Sequence, residues 1–75
     1  MQAIANQIED FLNLAAWRRN VRGSLTRRWG DESVAVFFKW GSYRWVICGE
    51  PGTFSPKGYE TEDDAIVELA RELLN

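Results

Sequence analysis

The chain has no histidine and a single cysteine, Cys48, among its 75 residues. Histidine is the commonest general base near neutral pH and the commonest transition-metal ligand. Without it, Ser24, Ser33, Ser42 and Ser55 have no partner for a Ser-His triad. One thiol cannot close an internal disulfide, and one thiol with no histidine cannot build a structural zinc site. The N-terminal region also lacks a basic leader: Glu9 and Asp10 precede its most apolar run, residues 11–17. That run is far shorter than the roughly 20 residues that cross a bilayer. These absences together predict a reducing, cytoplasmic setting with no membrane and no metal. The glycines form neither G-x-G-x-x-G nor a Walker-type phosphate loop, so no cofactor is expected. Glu60, Glu62, Asp63 and Asp64 lack the alternating ligand spacing of a Ca²⁺ loop. With no catalytic set left, the chain reads as a non-enzyme.

What the sequence does have is rings. Aromatic residues make up 13% of the chain and four of them are tryptophan. A domain this small buries only about 60% of its unfolded surface, so large apolar side chains help it reach net stability. Residues 1–75 are expected to form one domain. The densest stretch is residues 34–49, VAVFFKWGSYRWVICG. It reads as two strands meeting at Gly41 and Ser42 in a type II′ hairpin turn. That turn pairs Trp40 with Tyr43, Phe38 with Trp45, Val36 with Ile47 and Val34 with Gly49, all on one apolar face that must be buried. The opposite face carries Ala35, Phe37, Lys39, Arg44, Val46 and Cys48.

Residues 2–19 carry the apolar stripe of an amphipathic helix through Ile4, Ile8, Phe11, Leu12 and Ala15, widened by Leu14 and Trp17. Arg18 and Arg19 then complement its exposed carbonyls, and Asn20 or Gly23 stops it. Residues 24–29 are a first strand, followed by a turn in residues 30–33. A two- or four-residue loop there turns Leu25, Arg27 and Trp29 inward, whereas a three-residue loop turns them to the open face and points Thr26 and Arg28 inward. Burying an unpaired arginine is costly, and the three-residue loop is preferred, with Thr26 tolerated inside and Arg28 snorkelling at the edge. Residues 50–60 form an ordered connection anchored by Phe54 and Tyr59. Thr61 is a helix N-cap, with Glu62, Asp63 and Asp64 in the first turn and Ile66, Leu69, Ala70 and Leu73 on the buried stripe. The expected fold is α+β: a two-layer sandwich in the order α-β-β-β-α, a three-stranded antiparallel meander with both helices packed on one face.

That order resembles the double-stranded-RNA-binding domain, which has a similar length. In that family a lysine pair opens the second helix and reaches phosphate. Here the matching residues 61–65 read TEDDA, and acids repel phosphate, so none of the family's RNA contacts carries over.

The net charge is −2, but it is unevenly spread. Residues 17–44 hold six arginines and Lys39 against Asp31 and Glu32, whereas residues 45–75 hold seven acids against Lys57 and Arg71. The expected contact surface is the open sheet face with the adjoining arginine-rich segment: Arg18, Arg19, Arg22, Arg27, Trp29, Phe37, Lys39, Arg44 and Val46. Its leading use is protein–protein contact, with a partner or as a homodimer. The alternative is nucleic-acid binding, because cations interleaved with rings track phosphates and stack bases.

Overall fold

The computed structural model describes the backbone of residues 2–74 and the side chains of residues 7–74, which leaves Ile4 of the predicted stripe outside the described side chains. The chain runs α1 (Gln2–Leu12), β1 (Arg18–Arg19), β2 (Leu25–Trp29), β3 (Glu32–Lys39), β4 (Ser42–Cys48), β5 (Thr53–Phe54) and α2 (Glu62–Leu74). The five strands form one antiparallel sheet in sequence order. The fold is α+β, but the three-stranded meander is extended by a two-residue strand on each edge, and the order departs from α-β-β-β-α accordingly.

The first helix ends seven residues earlier than its apolar stripe suggests. Asn13 adopts extended backbone (φ −68°, ψ 106°) and its side-chain oxygen accepts from Ala15 N at 3.1 Å. Such a local bond competes with the helix ladder. A single 3₁₀ turn, Leu14–Ala16, follows. Trp17 is then extended and folds back so that its indole Nε1 donates to Phe11 O at 2.9 Å. This reversal releases Arg18 and Arg19 to pair with Thr26 and Leu25 as an edge strand. Asn20 and Gly23, the two residues expected to stop the helix, lie instead in the turn joining β1 to β2.

The β3–β4 hairpin turns at Trp40 and Gly41, both at positive φ (55° and 78°), and not at Gly41 and Ser42. Two positive φ values in a two-residue loop follow the right-handed twist of the flanking strands. The pairs become Val34–Ile47, Val36–Trp45 and Phe38–Tyr43. Each partner moves along its strand by two positions from the expected one, so these paired side chains keep their face. Trp40 leaves it for the turn, and Phe38, expected to be buried, lies near the tip and is 62% exposed.

The β2–β3 loop is also two residues, Gly30 and Asp31, with Gly30 at φ 61°. This corrects the three-residue loop and reverses β2: Leu25, Arg27 and Trp29 face the helices, and Thr26 and Arg28 face outward. The reversal is stable because Arg27 is not left unpaired. Its Nη1 donates to Asp10 O (2.8 Å) and Phe11 O (3.1 Å) at the end of α1, and its guanidinium lies over the rings of Phe11 and Trp29.

Thr61 caps α2 as expected, its hydroxyl accepting from Asp64 N at 3.0 Å. The helix lies across β3 and β4 and against α1. Phe11 and Trp17 join Ala65, Ile66, Leu69 and Ala70 of α2 and Leu25, Val34, Val36 and Trp45 of the sheet in one buried cluster. Phe11 sits at its centre, edge-on to Trp17 (5.4 Å between centroids) and Trp29 (5.1 Å).

Candidate functional site

With both helices on one side, the other side of the sheet is uncovered among the described residues. Pairing fixes what it displays. One row crosses all five strands: Arg18, Thr26, Ala35, Val46 and Phe54. A second row is Arg28, Ser33 and Cys48, and toward the hairpin tip come Phe37 beside Arg44 and Lys39 beside Ser42. The cations here are Arg18, Arg28, Lys39 and Arg44, and the strand residues of this face include no acid. The helical layer is the reverse, with Glu62, Asp63, Asp64, Glu68 and Glu72 on α2 against Arg71 alone.

The face has two depressions. One, of about 520 Å³, is lined by the small residues Thr26, Ser33 and Ala35 with Arg18 and Arg28, and Arg27 also borders it although its guanidinium is bonded to the end of α1. The other, of about 310 Å³, is lined by Phe37, Trp40 and Phe54 with Lys39 and Arg44. Trp40 and Phe54 are mostly exposed (75% and 65%). Lys39 Nζ and Arg44 Cζ lie 4.6 and 5.1 Å from the Trp40 ring centre, and Arg44 Nε also donates to Lys39 O at 3.2 Å. Cation–ring contacts of this kind are worth roughly 0.5–1 kcal/mol when exposed, enough to bias the indole toward one position.

The predicted site residues divide. Arg18, Phe37, Lys39, Arg44 and Val46 are together on the open face. Arg19 is not: it is clipped to Glu62 through two bonds of 3.1 Å and donates to Gly23 O at 2.7 Å. The hydrogen bond and then the charge of Glu62 raise its pKa further above its ordinary value, so it stays cationic throughout the ordinary pH range. Arg22 is exposed in the β1–β2 turn, outside both depressions. Arg27 and Trp29 belong to the helical side, as described above. Arg28, Trp40 and Phe54 take their place on the open face. Arg28 follows from a two-residue β2–β3 loop, Trp40 from a turn at Trp40 and Gly41, and Phe54 from reading Thr53–Phe54 as an edge strand.

This division has a measurable consequence. Arg27→Ala is expected to lower unfolding free energy by about 1.5–3 kcal/mol, the range for hydrogen bonds to a charged group, while leaving ligand binding at the open face unchanged. Urea denaturation alongside a binding titration checks both; a loss of affinity in the folded variant would return Arg27 to the site.

Compared with known protein families, curated proteins and solved structures, the chain finds no match. Among the described residues no helix is long and apolar enough to cross a membrane.

Proposed function

We propose that this chain is a small non-enzymatic binding domain whose open sheet face engages nucleic acid. The observation that carries the reading is the segregation of charge: four cations and no acid on the ring-bearing sheet face, and an acidic helix behind it. Phosphate backbones supply the complementary charge, and exposed rings supply surfaces for bases. The same segregation weighs against a homodimer through this face. A two-fold interface sets a patch against its own copy, so the four cations would meet four more with no acid to pair them. A protein partner remains the second use of the face, and it would have to be acidic. Exposed Cys48 is the chain's one thiol, and the domain would work in a reducing compartment such as the cytoplasm.

The test is fluorescence anisotropy with labelled RNA and DNA oligonucleotides over a salt series. Four phosphate contacts predict that log K falls against log salt with a slope of about −3. Binding that ignores salt, or no binding at low salt, overturns the reading.

A further inference from the structure

Resting on that reading, we infer that the nucleic acid is single-stranded and that the cleft between Phe37, Trp40 and Phe54 holds one unpaired base. Three rings line a concavity of about 310 Å³, at the small end of ligand-site volumes and suited to one planar group. In a duplex the base faces are stacked on their neighbours and closed to protein rings; only a splayed base presents its π-face. Paired nucleic acid would leave these rings without a partner.

The backbone at Trp40 supports the same assignment. Its φ of 55° is left-handed, a conformation that crowds a Cβ against the following carbonyl and is disfavoured outside glycine. The sequence favoured at such a turn is Asn-Gly, because asparagine tolerates that conformation. Here an indole occupies the place, mostly exposed, lining the cleft with Lys39 and Arg44 against its ring. Exposure means that packing does not account for it. Strain of this sort gathers at binding sites, and stacking a base gives this ring a role that its own fold does not.

The adjoining depression completes the arrangement. Its small residues Thr26, Ser33 and Ala35 cannot stack anything, and Arg18 and Arg28 also line it. It suits the sugar-phosphate chain leading away from the stacked base. From Ser33, beside Arg28, to Lys39 is about 20 Å along β3, so cations accompany the strand over several nucleotides.

The experiment uses the full chain, its Trp40→Asn and Phe54→Ala variants, and four probes: single-stranded RNA, single-stranded DNA, a duplex of the same sequence, and polyglutamate. Trp40→Asn is the informative variant, because it is expected to fold at least as stably as the parent. A stacked base is worth about 1–3 kcal/mol, or roughly 5- to 150-fold. Each variant is therefore expected to lose about tenfold in affinity for single strands and little for duplex. RNA against DNA then tells which single strand fits better. Equal binding of single strand and duplex, unmoved by either variant, overturns the stacking inference and leaves nucleic-acid binding standing. Polyglutamate binding as tightly as the oligonucleotides overturns both and makes an acidic protein the partner, and silence from every probe overturns both as well.

Discussion

Phe11→Ala is expected to remove about 3–5 kcal/mol of stability, the range for deleting a buried aromatic ring. Phe11 is fully buried, with Trp17 and Trp29 edge-on to it and the Arg27 guanidinium over its face. Its carbonyl also accepts from Trp17 Nε1 and Arg27 Nη1. Small domains lie toward the lower end of the 5–15 kcal/mol typical of native proteins, so the variant should be mostly unfolded at modest urea. Near-UV circular dichroism should report the loss, since the tryptophans leave fixed surroundings. A variant with the parent's denaturation midpoint would show that the centre of the core lies elsewhere. Phe54→Ala is the contrast, removing a ring that is already mostly in water.

The double reversal Arg18→Glu with Arg28→Glu is expected to weaken nucleic-acid binding by on the order of a hundredfold at low salt. A unit charge about 5 Å from a phosphate in water is worth about 0.8 kcal/mol, and reversing its sign doubles the effect, giving roughly 3 kcal/mol for two sites. Both residues are exposed, so the fold should survive. The loss should shrink as salt rises, because these contacts are screened. Arg22→Glu is the matched control: it makes the same change per residue in net charge from a turn outside the face. Equal losses from Arg22→Glu and from either single reversal would mean that net charge alone, and not this face, drives binding.

The sheet faces were legible in the sequence to differing degrees. For β3 and β4 the alternation sorts side chains correctly even though the turn is displaced by one residue. Two-residue loops at Gly41 and Ser42 or at Trp40 and Gly41 differ in partner, not in parity. What the displacement hides is Trp40 itself, which moves from a strand pair to the exposed tip. For β2 the outcome hangs on a non-local fact. The cost of an inward arginine decides the register, and that cost vanishes only when the carbonyls of Asp10 and Phe11 end their helix beside it. Nothing within β2 announces those acceptors. The early end of α1 is hidden for a similar reason: Leu14, Ala15 and Trp17 continue a helical spacing, while the opposing signal is one asparagine. The strands β1 and β5 are two residues each, too short for any periodicity. The start of α2, by contrast, is written locally in Thr61 and the acids after it, and it needed no tertiary context.

Those two short strands also bear on how copies of the chain behave when crowded. A sheet's outermost strand offers unpaired amides and carbonyls that recruit further strands, and length and flatness make the recruitment effective. Here each flank offers only two residues, one of them a pair of arginines and the other soon followed by Pro56. Such short outermost strands are a poor template for a neighbouring molecule to extend, which favours an aromatic face that stays uncovered without seeding fibrous stacks. The domain keeps its rings available because its margins are blunt.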